Sequence, residues 1–141
     1  MKRGVVLFVG AVIVAGAVML SLTAVKGQRL RQPATPPAYQ NISPDQLSAM
    51  LPRKDFLLVN VHIPYAGQIE GTDFFVPYTE VEAEAPTMLP DRQAKIVVYC
   101  QTGRMSAIAA ETLVRMGYTN VVNLDGGIVA WERAGYPVHQ R

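Results

Sequence analysis

The stretch that decides the fold is residues 97–138, VVYCQTGRMSAIAAETLVRMGYTNVVNLDGGIVAWERAGYPV. Short apolar runs in it predict buried strands, and runs with helical spacing of apolar residues predict helices. In chain order these are a strand at Ile96–Tyr99, a helix from Ser106 to Met116, a strand at Val121–Leu124 and a helix from Ile128 to Arg133. Gly117 is expected to end the first helix, and Asp125-Gly126-Gly127 forms a tight turn before the second. Strands and helices that alternate at this spacing are typical of a parallel α/β sheet.

The residues before this stretch continue the alternation. Ser43-Pro44-Asp45-Gln46 has the residue types of a helix start with a capping box, and Pro52 is expected to stop that helix. The apolar run from Phe56 to Val61 predicts another buried strand. Residues 62–78 contain two prolines and two glycines and predict a loop with a brief extended stretch at residues 74–76. Beyond the loop, an acidic patch in or near a short helix is expected at Glu80, Glu82 and Glu84.

Length and composition indicate one folded domain with a separate basic segment before it. The chain has 141 residues, of which 50% are hydrophobic and 17% charged, so disorder throughout is excluded. Residues 1–40 carry five basic and no acidic side chains, a net charge of +5, whereas residues 41–141 carry the other 8 Lys/Arg and all 11 Asp/Glu, a net charge of −3. Because the folded part is mildly acidic, nucleic acid is not expected as a partner.

The N-terminal residues predict a membrane anchor. After a short basic N-terminus at residues 1–4, residues 5–25 are apolar and uncharged, which as a helix is roughly 30 Å long, the thickness of a bilayer core. A cleaved signal peptide is the alternative, since a basic start precedes the apolar run. Residues 26–40 predict a proline-rich linker, and 41–141 the folded domain, which we expect on the exported side of the membrane, periplasmic or extracellular.

Cys100, which follows a predicted strand and precedes a predicted helix, is the candidate for chemistry. Ligands bind at this edge of open α/β sheets. The turn after it contains Gly103 and can curl its N–H groups into an anion-binding nest, with the positive helix end adding to the field. A thiolate is therefore favoured, with Arg104 as a fixed charge and Ser106 able to cap the helix and donate to the sulfur. The alternative is an inert buried thiol.

Other chemistries find little support in the residues present. One cysteine excludes an internal disulfide or a four-thiolate zinc site, so no metal or cofactor is expected. A cysteine hydrolase would need His62 or His139 to reach Cys100. A phosphatase of the Cys-x5-Arg type would need arginine where this chain has Ser106.

These residues resemble the rhodanese family. The strand–Cys–loop–helix segment, the Gly117-Tyr118 helix exit and the Asp125-Gly126-Gly127…Trp131 close carry the resemblance, which extends back to about Ile42. It implies a parallel five-stranded sheet flanked by helices, and the apolar run at residues 5–25 predicts one transmembrane helix before it. It also implies sulfane sulfur transfer through a persulfide on Cys100, with the anion-binding loop formed by Gln101, Thr102, Gly103, Arg104, Met105 and Ser106.

One segment departs from the family pattern. Many members end the second strand in Asp-Val-Arg, where this chain has Asn60-Val61-His62. The usual ion pair is lost, although Asn60 can still hydrogen-bond loop backbone, and we expect His62 to be structural. Asp125, Gly126, Gly127 and Trp131 are expected to determine the fold through turn geometry and packing.

The resemblance implies partners as well as chemistry. They are a small sulfur donor, thiosulfate or a persulfide, and a cyanide-like or thiol acceptor, which a protein could carry. The apolar sequence of residues 5–25 adds the membrane as a partner. The surface around the loop, including residues 65–70 and the acidic patch, is expected to choose the acceptor. The alternative function is a non-catalytic rhodanese-like module that binds partners or senses sulfur or oxidants at the membrane.

Overall fold

A computed structural model describes residues 38–140 of the chain. In this part, five parallel strands form one sheet in the order β1-β5-β4-β2-β3. The expected α/β sheet of five parallel strands is confirmed. The predicted anchor at residues 5–25 and most of the predicted linker lie outside the described residues. None of the helices within 38–140 is both long and apolar enough to cross a membrane.

The elements follow one another as a nearly regular alternation. They are β1 (Gln40–Ile42), α1 (Pro44–Met50), a 3₁₀ turn (Leu51–Arg53), β2 (Leu57–Asn60), β3 (Phe74–Phe75), α2 (Val81–Met88), β4 (Ile96–Tyr99), α3 (Arg104–Arg115), β5 (Val121–Leu124) and α4 (Gly127–Arg133). The apolar runs that predicted strands at residues 56–61, 96–99 and 121–124 form β2, β4 and β5, the three inner strands.

Two apolar layers enclose the sheet. Helices α2 and α3 cover one face, where Val81, Ala85 and Leu113 pack on alternate residues of the inner strands. Helices α1 and α4 cover the other, with Leu47 and Trp131 in its core. Because side chains alternate between the faces of a strand, Val98 and Cys100 belong to the first layer and Tyr99 to the second.

Of two predicted helix starts, that of α1 agrees with the structure and that of α3 does not. The capping box of α1 forms as predicted: Gln46 N–H donates to Ser43 Oγ, and Ser43 N–H donates to Gln46 Oε1. Helix α3, in contrast, begins at Arg104 rather than at Ser106. Its N-cap is Gly103 at φ +91°, a left-handed conformation that glycine adopts readily, so the prediction that Ser106 caps the helix is wrong.

Strand β1 was not predicted. Its three residues, Gln40-Asn41-Ile42, are mostly polar and exposed because it is an edge strand paired only with β5. Strand β1 begins at Gln40, the last residue of the linker predicted at residues 26–40. Tyr39, which precedes it, packs against the layer under α3, so the ordered fold starts before the first sequence signal for it.

Candidate active site

Cys100 is the first residue after β4, at the carboxyl edge of the sheet and before α3. Its side chain is buried, with 1% of the residue exposed, and it belongs to the apolar layer beneath α3. This burial among apolar residues is what the inert alternative expects. The environment of the sulfur is nevertheless mixed, because it also accepts hydrogen bonds from the loop and from α3.

Two donors contact the sulfur. The backbone N–H of Gly103 lies 3.1 Å from Cys100 Sγ, and the hydroxyl of Ser106 lies 3.4 Å from it. The same hydroxyl is 3.2 Å from the Gly103 carbonyl, so its single proton is shared between the two acceptors. Both bonds come from the loop and the first turn of α3, which therefore hold the sulfur in place. The predicted contact between Ser106 and the sulfur is confirmed.

Helix α4 fixes the orientation of the loop. Its first N–H groups donate to the loop carbonyls, Ile128 N–H to Cys100 O and Val129 N–H to Gln101 O, each at 2.9 Å. Since a trans peptide places its N–H opposite its C=O, the N–H groups of Gln101 and Thr102 point away from α4.

Free backbone donors gather at the loop as a result. Within residues 38–140, no acceptor is found for the N–H groups of Gln101, Thr102, Arg104, Met105 and Ser106. The last three belong to the first turn of α3, where a helix has no internal acceptors and carries partial positive charge. Free backbone N–H groups on consecutive residues are the donors from which anion-binding sites are built.

Glycines allow α4 to approach this closely. A Cβ on Gly127 (φ +57°) would lie 2.2 Å from the carbonyl oxygen of Cys100, and one on Gly126 (φ +70°) would lie 2.6 Å from Ala130 Cβ. The two glycines therefore fix the turn geometry, as predicted. They also position the cysteine loop, a role that sequence reasoning missed, because the contact joins residues far apart in the chain.

The loop after β2 is hydrogen-bonded at the same edge of the sheet. Asn60 Nδ2 donates to Gly67 O, and Asn60 Oδ1 accepts from His62 N–H, so the predicted bonds from Asn60 to loop backbone are confirmed. Val61 N–H donates to Tyr99 O, directly before the cysteine.

The Tyr99 side chain extends this support on the other face of the sheet. Its hydroxyl accepts from Ile69 N–H at 3.1 Å and lies 2.7 Å from Thr72 Oγ1. Burial raises the pKa of Tyr99 above its ordinary value of 10.0, against the lowering effect of the hydrogen bonds from Thr72 and Ile69. The phenol therefore stays neutral in the physiological range and holds residues 69–72 in place.

The predicted site residues are brought together as one loop and one helix turn. Gln101 and Thr102 are exposed loop residues, and Arg104 is the exposed first residue of α3. Met105 is half-buried against the α3 layer, and Ser106 is fully buried next to the sulfur. Arg104 forms no salt bridge with any carboxylate in the described part of the chain.

Neither histidine takes part in this arrangement. His62 is buried at 8% exposure and hydrogen-bonds through its backbone, and its Nδ1 has no partner among the described residues. His139 lies in a bridge with Gln68 near the C-terminus. Since the sulfur is bonded by Gly103 and Ser106 alone, a cysteine–histidine pair is not formed. Residues 38–140 also contain no cluster of three side chains that could hold a metal ion.

A separate cavity of about 410 Å³ lies on the opposite side of the sheet from the sulfur's layer. Its walls include residues of the 3₁₀ turn, Glu70 and Gly71, Trp131 of α4, and Tyr136 and Pro137 after that helix. No residue of the loop 100–106 lines it. The cavity is therefore separate from the Cys100 loop.

Comparison with known families agrees with this geometry. The family model described as the rhodanese-like domain matches residues 35–134. The chain belongs to the rhodanese-like domain family. The resemblance read from residues 97–138 is thereby confirmed, and the family match starts a few residues before β1.

Individual relatives are similar at modest identity. The thiosulfate sulfurtransferase PspE of Escherichia coli is 37% identical over 70 residues, 48% of this chain and 67% of that protein. The protein slr1261 of Synechocystis is 29% identical over 99 residues, and the match covers 68% of this chain and 54% of that protein, so the rhodanese-like chain spans about half its length. A crystal structure of a rhodanese-related protein from Thermoplasma volcanium is 30% identical with a TM-score of 0.63, covering 73% of this chain and all (100%) of that one.

Proposed function

We propose that this rhodanese-like protein is a sulfurtransferase that carries sulfur as a persulfide on Cys100. The observation that carries the proposal is a cysteine sulfur bonded by Gly103 N–H and Ser106 Oγ, at a loop with five free backbone N–H groups. Sulfurtransferases among the relatives, including the thiosulfate sulfurtransferase of E. coli, support the same assignment.

In the first half-reaction, the Cys100 thiolate attacks the outer sulfur of thiosulfate. A bond forms between Sγ and that sulfur, the sulfur–sulfur bond of thiosulfate breaks, and sulfite leaves with the electron pair. The enzyme is left with a persulfide anion. A low-molecular-weight persulfide is the alternative donor and would release a thiolate in place of sulfite.

In the second half-reaction, a nucleophilic acceptor attacks the outer sulfur. With cyanide the product is thiocyanate, and with a thiolate it is a new persulfide. The bond to Sγ breaks and its electron pair returns to Cys100, so the cycle needs no outside oxidant or reductant.

The loop supplies electrostatic stabilisation in both halves. The free N–H groups of residues 101–106 are suited to hold the anionic donor and then the charged outer sulfur of the persulfide. Arg104, exposed and without a carboxylate partner, adds a charge that attracts the donor. The bond from Ser106 keeps the sulfur oriented toward the loop.

A phosphatase of the Cys-x5-Arg type is the nearest enzymatic rival. Such an enzyme holds a tetrahedral oxyanion with an arginine six residues after the cysteine. In this chain that residue is Ser106, which is fully buried and bonded to the sulfur itself. Since its hydroxyl cannot replace a guanidinium clamp, sulfur transfer is the better fit.

The experiment uses the full chain, purified in detergent, with thiosulfate as donor and cyanide as acceptor. We expect thiocyanate to form, and Cys100→Ser to abolish it. The matched control is Ser43→Ala, which removes a hydroxyl from the cap of α1 rather than from the cysteine loop and should leave turnover intact. No turnover with thiosulfate or with a persulfide donor would instead support a non-catalytic rhodanese-like module.

A further inference from the structure

We propose that the cavity of about 410 Å³ beside Trp131 is a second binding site, which takes a small quaternary ammonium compound. This inference does not depend on the proposed sulfur transfer, because no residue of the Cys100 loop lines the cavity. Its basis is the size of the cavity, the two aromatic rings in its wall and a lining carboxylate that has no permanent positive partner.

The cavity has the size and the composition of a small-molecule site. Pockets of roughly 300–1,000 Å³, lined mostly by apolar and aromatic side chains with a few polar groups, are typical of such sites. Here the aromatic lining residues are Trp131 and Tyr136, and the polar ones are Ser48, Lys54 and Glu70. The choice of ligand therefore depends on what the rings and these three polar side chains offer.

The two aromatic side chains offer ring surface rather than hydrogen bonds. Their ring centroids lie 4.5 Å apart, with an angle of 35° between the ring planes. The Trp131 indole N–H donates to Pro137 O, and the Tyr136 hydroxyl donates to Asp45, so both polar groups already have partners within the chain. Aromatic ring surface attracts cations, and proteins use this attraction to recognise quaternary ammonium ligands.

The charges at the cavity also favour a cation. The Lys54 ammonium is paired with the Asp73 carboxylate, so its charge is balanced. The Glu70 side chain is 84% exposed, and among residues 38–140 the basic group that its carboxylate meets is His139, with Nε2 at 3.9 Å. Since a histidine is charged only when it is protonated, Glu70 has no permanent positive partner. A bound cation would supply one.

The small number of hydrogen-bond acceptors selects the kind of cation. Apart from the Glu70 carboxylate and the Ser48 hydroxyl, the side chains in the wall are apolar, aromatic or already paired. A primary ammonium has three N–H groups that each require an acceptor when they leave water. A quaternary ammonium has none, and its methyl groups can contact the rings directly, so it fits this wall better.

The test is a fluorescence titration of the full chain, purified in a non-ionic detergent, with choline. Trp131 is the only tryptophan in the sequence, so the tryptophan signal reports on the wall of this cavity. The control ligand is dimethylbutanol, the neutral alcohol that has carbon in place of the choline nitrogen. We expect a saturable change with choline and an affinity about tenfold higher than that of the alcohol, because only choline gains from the rings and the carboxylate.

Variants separate the contributions of the carboxylate and the ring. Glu70→Gln should weaken choline binding about threefold and leave binding of the alcohol unchanged. The matched control is Glu82→Gln, which removes the same charge from an exposed position on α2 and should have no effect. Tyr136→Leu should also weaken choline binding about threefold, whereas Tyr136→Phe keeps the ring and should bind choline as the wild type does.

Three results would overturn the proposal. The first is a Trp131 fluorescence that choline leaves unchanged, and the second is equal affinity for choline and the neutral alcohol. The third is equal weakening by Glu70→Gln and Glu82→Gln, which would show attraction by net charge instead of a site. None of these results bears on sulfur transfer, which is measured separately as thiocyanate formation.

Discussion

At the scale of single residues, Arg104 offers the most selective test of donor binding. It is the first residue of α3 and carries an exposed guanidinium without a carboxylate partner in the described structure. We expect Arg104→Ala to raise the KM for thiosulfate about tenfold, as the loss of one charge-assisted contact would. The rate of sulfur transfer to saturating cyanide should change little. Steady-state kinetics with both substrates varied gives the two quantities.

Arg115→Ala is the matched control, because it removes the same charge from the opposite end of the same helix. Arg115→Ala should leave the KM for thiosulfate within about twofold, since the effect of an exposed charge is screened over that distance. If both variants raise this KM equally, the effect is one of net charge, and the role given to Arg104 is wrong.

Gly127 tests the support that α4 gives to the cysteine loop. A Cβ there would meet Cys100 O at 2.2 Å, in addition to the left-handed φ of +57°. We expect Gly127→Ala to lower the free energy of unfolding by about 2–4 kcal/mol and to reduce sulfur transfer in the molecules that remain folded. Urea unfolding and activity at low temperature measure the two effects.

Gly135 provides the control for Gly127, because alanine there has the same unfavourable left-handed conformation without a steric clash. It has φ +91°, and a Cβ there would meet nothing within 4 Å. Gly135→Ala should cost about 1 kcal/mol from the left-handed conformation alone and leave activity unchanged. Similar losses in both alanine variants would contradict the contact between α4 and the loop as the cause.

The residue scale also shows what a sequence can and cannot indicate about the site. Cys100 was identified from its place between an apolar run and a helix, and Ser106 from its hydroxyl and spacing. The contact of Gly127 with the cysteine carbonyl could not be read, since it depends on how closely two elements approach. The exposure of Arg104 could not be predicted either. The apolar pattern placed the start of α3 at Ser106, whereas the helix begins at Arg104.

At the scale of elements, the link between β4 and residues 69–72 is open to test. The Tyr99 hydroxyl accepts from Ile69 N–H and lies 2.7 Å from Thr72 Oγ1, which in turn donates to Ile69 O at 2.6 Å. We expect Tyr99→Phe to lower the free energy of unfolding by about 1–3 kcal/mol at neutral pH, because buried polar groups lose their partner. The Tyr136 hydroxyl donates to Asp45 at the surface. Tyr136→Phe should therefore lower the free energy of unfolding by less than about 1 kcal/mol.

Alkaline pH provides an independent check on the same hydroxyl. Burial raises the pKa of Tyr99 and that of Tyr118 above 10.0, so the unfolded chain loses these protons first. The stabilisation from the neutral phenols is complete below pH 10 and is lost as the pH rises through their folded-state pKa values. Urea unfolding as a function of pH should show stability falling above pH 10, less steeply in Tyr99→Phe. An identical slope in that variant would contradict the assignment.

Elements with strong local signals were predicted well. The inner strands β2, β4 and β5 are buried on both faces and therefore read as continuous apolar runs. The edge strands carry a weaker signal: β1 is polar and was not predicted, whereas the two residues of β3 lie in the extended stretch expected at residues 74–76. Their place in the sheet is set by neighbouring strands, which no local pattern records.

At the scale of the whole molecule, we propose that residues 5–25 anchor the domain in a membrane. The basis is their uncharged apolar sequence alone. The full chain should stay in the membrane pellet after a carbonate wash, and a variant that begins at residue 26 should be recovered in the supernatant. A wild-type chain found in the supernatant with a shortened N-terminus would show a cleaved signal peptide instead.

The central claim is that Cys100 accepts and holds a sulfur atom. The most direct measurement is the intact mass of the purified chain after incubation with thiosulfate, followed by peptide mapping. We predict a gain of one sulfur atom, located on Cys100, that disappears on addition of cyanide and never forms in Cys100→Ser. A wild-type mass that thiosulfate and persulfide donors leave unchanged would contradict the account.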